Sequence, residues 1–369
     1  MLTQDDSSEA NTLLQQAVDA ELPQAMVLRA LELGLDETDS QRLMYEAFQQ
    51  GAPDAQFFVG ISLNNGTERG AFLMFELLRR AALGGHILSM RILGDFALNA
   101  EPPEQDLEAA RQWFASGLMF GDIESGANLA ALIELHPELN PEFEDPAMTM
   151  AMDFYTEAGA EAAMTVPTVM IEGEYFAPHS DRGFALLQRM SDEGIAEASL
   201  DLGERYRFGS GVPVDTEAAA EWFQRAFEQG SLEAKYEHAG LLVFDLDRPQ
   251  EGLAMFQSAA DQGHVWASND LAWLLCTGES NVARNPHKGL SVIDQLVGQT
   301  DAPHAYLYST LAACQAALGK YEQAQSNQSI ALNRTLEDEP EATDVHAQMQ
   351  ERMALYQAHQ PYIWQAEDQ

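Results

Sequence analysis

Lysine is almost absent from this chain: Lys235, Lys288 and Lys320 are the only three in 369 residues. The first 234 residues use arginine as their only permanent cation. Against 19 Lys and Arg stand 59 Asp and Glu, a formal net charge of −40. Binding nucleic acid or an anionic lipid surface needs Lys and Arg to displace counterions from phosphates, so this composition excludes both. The acidity itself has two readings. It is either a solvated surface that keeps an elongated protein soluble, as a salty habitat would require, or a field that steers a basic partner. Cysteine is nearly as scarce. Cys276 and Cys314 are too few for the disulfide framework of a small secreted domain. They read as small apolar core residues of a reduced compartment. No apolar run reaches the ~18 residues of a membrane span. The opening segment MLTQDDSSEANTLL lacks the basic and then apolar stretches of a signal peptide. The expected compartment is cytoplasmic, or periplasmic if a signal was removed ahead of Met1.

What the chain does have is a period. Gly51, Gly85, Gly121, Gly159, Gly194, Gly230 and Gly263 are spaced 34, 36, 38, 35, 36 and 33 residues apart. Four residues after each glycine stands a small residue: Ala55, Ser89, Ser125, Ala163, Ala198, Ala234 and Ala267. A fixed period in this range marks a stacked-repeat architecture, in which each unit buries its apolar face only against its neighbours. An apolar content of 46% suffices for a continuous core.

The segment 198–230 reads most clearly. Ala198, Leu202, Gly203 and Tyr206 share one helix face. Phe208-Gly209-Ser210-Gly211-Val212-Pro213 breaks that helix, because glycine relaxes the φ constraint and proline removes a donor. Asp215 is placed to cap the next helix, whose apolar stripe is Ala218, Ala219, Trp222, Phe223 and Ala226. Gly230 ends it in a left-handed conformation. Asp106, Ala109, Ala110, Trp113, Phe114 and Gly121 repeat the second helix in step. The pairs Val59-Gly60, Leu93-Gly94, Leu129-Ala130, Leu202-Gly203 and Leu271-Ala272 repeat the first. A small residue at the second place of each pair lets two helices approach closely.

This pattern resembles the Sel1-like repeat family, a branch of the tetratricopeptide superfamily. The residues that carry the resemblance are Ala198, Leu202, Gly203, Tyr206, the Gly209-Ser210-Gly211-Val212 turn, Asp215, Ala218, Trp222, Ala226 and Gly230. The unit after Gly159 departs from it. Pro167 falls inside its first helix, which is expected to be short, kinked or displaced. Towards the C-terminus, Tyr308, Leu311, Ala312, Gly319, Tyr321, Ala324 and Ala331 take the spacing of ordinary tetratricopeptide repeats. A preceding unit there carries a lengthened loop over 277–286. The resemblance implies an all-α fold, a right-handed α-solenoid of antiparallel helix pairs. The expected organisation is a capping helix in 1–22, a Sel1-like array in 23–266, tetratricopeptide-like repeats in 267–336, and a capping helix and tail in 337–369. Within those ends, Leu13, Leu14 and Ala17 give the first helix its repeat spacing. The last helix follows Pro340 over 341–358, and Glu367-Asp368 makes the tail polar.

Constellations that imitate chemistry resolve into structure. His179-Ser180-Asp181 with His238 and Arg248 follows the order of an iron-binding facial triad, but that chemistry sits on a β jelly roll. Here it reads as a loop before a helix, with Asp181 as N-cap. The Gly209–Gly211 turn lacks the Lys-Ser/Thr and the preceding strand of a phosphate loop. His86 and His264 each follow a repeat glycine, which points to repeat geometry. No His/Cys cluster has zinc spacing, so no metal or other cofactor is expected.

The remaining candidate is a binding surface. In tetratricopeptide-type stacks the first helix of each pair lines the concave groove. By that resemblance Trp266, Asn269, Asp270, Trp273, Tyr236 and Arg207 project into it. Aromatic rings would supply rigid contact area, and Asn can bond an extended peptide backbone. The alternative for Trp266 and Trp273 is packing between units. The groove lacks the Lys and Arg that a carboxylate clamp needs, which argues against a C-terminal carboxylate as ligand. The expected function is a non-catalytic scaffold for a peptide or protein, basic or neutral rather than acidic. The alternatives are a metal-assisted hydrolase with a site in the acidic loops, or a component of a larger envelope or secretion assembly.

Overall fold

A computed structural model describes residues 4–34, 37–100, 104–172, 180–278, 284–300, 302–339 and 341–364. Among these residues there are twenty α-helices and no strand. The fold is an α-solenoid built from consecutive antiparallel helix pairs. No helix among the described residues is long and apolar enough to cross a membrane.

The chain divides into two compact units, Met1–Leu186 and Leu187–Gln369. The first unit runs α1 (Gln4–Asp19), α2 (Pro23–Leu33), α3 (Thr38–Gln49), α4 (Pro53–Ser62), α5 (Glu68–Leu83), α6 (Ile87–Asn99), α7 (Leu107–Met119), α8 (Ile123–Leu135), α9 (Pro146–Ala158) and α10 (Ala160–Glu172). The division falls within α11 (Ser180–Asp192). The second unit continues with α12 (Ala196–Phe208), α13 (Thr216–Glu228), α14 (Leu232–Phe244), α15 (Pro249–Ala260), α16 (Val265–Thr277), α17 (Pro286–Gln299), α18 (Ala305–Ala317), α19 (Tyr321–Asp338) and α20 (Thr343–Gln357).

The local chemistry of each pair follows its sequence. Asp215 accepts from the Ala218 N–H at 3.0 Å, and Asp106 from the Ala109 N–H at 2.9 Å. Each satisfies a donor that the helix start would leave orphaned. Proline opens α2, α4, α9, α15 and α17, where its missing N–H costs nothing. At Gly230 the backbone turns with φ +107°, a conformation that L side chains rarely adopt, and the next helix starts two residues later. The seven small residues four places beyond the repeat glycines are all fully buried, at 0% exposure. Gly203 is small for a reason of space: a Cβ there would lie 2.5 Å from two ring carbons of the buried Phe223.

Several expectations are corrected. Of the alternatives for the Pro167 helix, shortness does not hold: α10 runs its full 13 residues through the buried Pro167, as long as α8 and α12. Burial of Ala162, Ala163, Val166, Val169, Met170 and Ile171 offsets the one hydrogen bond that proline removes. Asp181 is not a cap. It sits inside the first turn of α11, which starts at Ser180. Leu13 points outward on α1, and Val18 is the residue that packs on the Met26 and Val27 cluster. The cysteines are not free thiols: Cys276 on α16 and Cys314 on α18 form a disulfide, with Cα atoms 4.9 Å apart. Residues one repeat apart on successive first helices face each other, and a separation of 38 is about one period. His179, Pro340, residues 279–283 of the lengthened loop, and Glu367-Asp368 lie outside the described residues.

Candidate functional site

In the second unit, the first helices α12, α14 and α16 are stitched together by side chains at one-period offsets. The Arg207 guanidinium donates to Glu237 at 2.8 Å and to Asp245 at 3.2 Å. The Tyr236 hydroxyl donates to Asp270 Oδ2 at 3.0 Å. The Tyr236 ring stacks on His264 with centroids 4.8 Å apart, and His264 Nε2 lies 2.9 Å from Glu233. His264 also caps α16, its Nδ1 accepting from the Ala267 N–H at 3.0 Å. His86 does the same for α6, accepting from the Ser89 N–H at 3.1 Å while stacked 4.4 Å from Phe57. The matched histidines are therefore structural caps.

The face is acidic and partly desolvated. Burial raises the Glu204 carboxyl, and the charges of Asp201, Glu237 and Glu233 raise it further. Burial raises Glu237 as well, with Arg207 opposing. Burial raises Asp270 above the ordinary aspartate value, against the hydrogen bonds from Asn269 and Tyr236. Burial, the first cause of all three shifts, disfavours the charged carboxylates, and a cation bound beside them would favour the charged form again.

The structure brings Arg207, Tyr236, Asn269 and Asp270 together on this face. The Asn269 amide donates to Asp270 Oδ1 at 2.9 Å, which fixes its orientation. Its own oxygen is then left buried with no hydrogen-bond partner. Trp266 stands apart. It is 39% exposed, edge-on to His304 with centroids 5.7 Å apart. Trp273 is half-buried at the edge of the cluster formed by Leu271, Leu274, Leu275 and Phe256. Its ring is tilted against Tyr362 at 5.6 Å, and the Arg352 guanidinium lies over it at 5.1 Å. Among the described residues no group of three or more His, Cys, Asp or Glu is arranged to hold a metal ion.

This helix-pair grammar recurs along the chain, and the Sel1 repeat model matches it at residues 53–86, 87–117, 196–231, 239–264 and 267–291. The chain carries five Sel1 repeats. No matched segment falls in 118–195, which contains the Pro167 helix. The Sel1-repeat chain is 27% identical over 267 residues to an uncharacterised protein of Neisseria meningitidis serogroup B. That match covers 68% of this chain and 51% of the relative, so the chain spans about half the relative's length. Among solved structures it is similar to a protective antigen of uropathogenic Escherichia coli with an SLR fold: 17% identity, TM-score 0.43, 94% of this chain and 76% of that one. It is also similar to a Sel1 repeat protein from Oxalobacter formigenes: 18% identity, TM-score 0.40, 89% of this chain and 93% of that one. Sel1-repeat proteins generally serve as protein-interaction scaffolds, and the family is typically non-catalytic.

Sequence reasoning missed Arg352 and Tyr362, which contact Trp273, and Trp364, which meets Phe244 and the Thr277 carbonyl. The only local signal was the Pro-Tyr-Ile-Trp run at 361–364, a proline stop followed by two aromatics.

Proposed function

We propose that this Sel1-repeat chain is an interaction scaffold that binds a basic peptide or a basic protein segment along the α12, α14 and α16 face of its second unit. The observation that carries the reading is the cluster of carboxyls on that face, the partly desolvated Glu204, Glu237 and Asp270 and the exposed Glu233, with Arg205, Arg207 and His264 as the nearby bases. The half-buried Trp273 supplies an aromatic anchor at the same face. The disulfide between α16 and α18 supports an oxidising compartment such as the periplasm, because intracellular reductants keep mesophile thiols reduced.

The test is a synthetic peptide array graded from acidic to basic net charge, probed with the intact chain. Binding is expected to rise with positive charge, to weaken as salt goes from ~0.05 to ~0.2 M, and to fall in Glu237→Gln and Asp270→Asn. Binding that ignores peptide charge, or that survives both substitutions unchanged, refutes the reading.

A further inference from the structure

Beyond α20 the chain doubles back onto the candidate face. His359 takes φ +57°, a left-handed conformation, and stacks on Tyr321 with centroids 5.0 Å apart. The Gln360 N–H closes the turn by donating to Leu355 O at 2.9 Å. Residues 361–364 then run without helical structure. The Trp364 N–H donates to Thr277 O at 3.0 Å, a carbonyl at the C-terminal end of α16 that the helix itself leaves unpaired. The Trp364 ring meets Phe244 of α14 edge-on at 5.6 Å, and Tyr362 lies on Trp273 of α16. In an extended chain, residues two apart project to the same side, so Tyr362 and Trp364 both turn towards the helices. The Arg352 guanidinium lies over Trp273 at 5.1 Å and over Tyr362 at 5.7 Å, so it contacts both the face and the segment on it.

We infer that this part of the face is a recognition site for an extended peptide carrying two aromatic side chains either side of one aliphatic residue, and that Tyr362-Ile363-Trp364 occupies it in cis. The inference rests on the proposal above that the first-helix face binds peptides, and it names a second element of the ligand. The contacts that hold the segment are those of a bound peptide: one main-chain bond to a free helix-end carbonyl, two rings on two receptor rings, and a cation over the pair. Tethering gives the segment an effective concentration on the order of millimolar, so a partner sequence must outcompete it. The site is self-blocked until that happens.

The experiment uses the full chain, a Tyr362→Ala/Trp364→Ala double variant, and a labelled synthetic peptide of residues 358–364 with a scrambled control. Fluorescence anisotropy is expected to show the peptide binding the double variant at least ~10-fold more tightly than the parent, because the tethered competitor is gone. Adding Trp273→Ala should abolish that binding, and the scrambled peptide should not bind. Equal affinity for parent and variant, no binding to the variant, or equal binding of the scrambled peptide overturns the inference. A double variant that loses its far-ultraviolet helical signal overturns it too, because the segment is then part of the fold. A parent that light scattering shows to be a dimer with exchanged segments refutes the cis arrangement. The probe contains no Lys or Arg, so its failure leaves the basic-peptide reading standing, and failure of the charge-graded array leaves this result standing.

Discussion

The packing logic of the repeat is tested by adding one methyl group. Gly203 sits on α12 where a Cβ would fall 2.5 Å from two ring carbons of Phe223, which is itself fully buried on α13. In Gly203→Ala the ring or the helix must retreat by about 1 Å to restore an ordinary contact of ~3.5–4.0 Å. Overpacking of this kind costs ~1–3 kcal/mol. The substitution also returns ~0.8–1.0 kcal/mol, because alanine is the better helix former. The balance is a loss of up to about 2 kcal/mol. For a unit of 183 residues (187 to 369 inclusive), that is a fall of up to roughly 8 °C in the thermal midpoint. Gly298, on α17, is the control: no heavy atom lies within 4 Å of its would-be Cβ. Gly298→Ala should therefore be neutral or stabilising by up to ~1 kcal/mol. The assay is urea unfolding of both variants, followed by far-ultraviolet circular dichroism. Shrinking the neighbour should recover part of the loss, so Gly203→Ala with Phe223→Leu should couple favourably in a double-mutant cycle. A Gly203→Ala protein as stable as Gly298→Ala refutes the claim that close helix approach dictates glycine there.

Three further outcomes are expected. Reducing the Cys276–Cys314 bond, which closes a 38-residue separation, should lower stability by ~4 kcal/mol at most on the chain-entropy account, read as a shift of the urea midpoint with and without reductant; no shift would mean the bridge is not formed in solution. His86 caps α6 only while its Nδ1 is unprotonated, and burial lowers its pKa from 6.5 against a raising contribution from Asp54. Its contribution is thus complete above about pH 6.5 and lost as pH falls through the lowered value, so the parent should lose more stability than His86→Ser on acidification; parallel pH profiles would contradict this. Leu271→Ala, at a site 2% exposed, should cost ~2–5 kcal/mol, and Trp273→Ala less than that while weakening peptide binding by ~1–3 kcal/mol; equal unfolding of the two would make Trp273 a core residue.

The repeat was legible because it is written in backbone chemistry. Gly230 and its six counterparts mark left-handed turns, Asp106 and Asp215 mark caps, and Ala198 and Leu202 mark the buried stripe. Each of these is a local requirement that one residue type satisfies. Pro167 did not shorten its helix, because the burial around it outweighs the local cost. The disulfide was hidden: Cys276 and Cys314 are far apart in sequence, and only a one-period superposition sets α16 beside α18. Register alone put Arg207, Tyr236, Asn269 and Asp270 on the first helices α12, α14 and α16. Their pairing was not legible from it, because the Tyr236–Asp270 and Arg207–Glu237 bonds depend on how successive first helices align. The return of residues 361–364 onto Trp273 was not legible either. An extended segment with no periodicity says nothing about where it docks.

The central claim is that ligands bind along the first helices of the second unit. Hydrogen exchange of the intact chain, with and without the strongest basic peptide from the array, tests it most directly, because a bound ligand protects the amides of the elements it holds. The account predicts added protection in α12, α14 and α16, with α13, α15 and α17 unchanged. Protection confined to the second helices, or to the first unit, would contradict it.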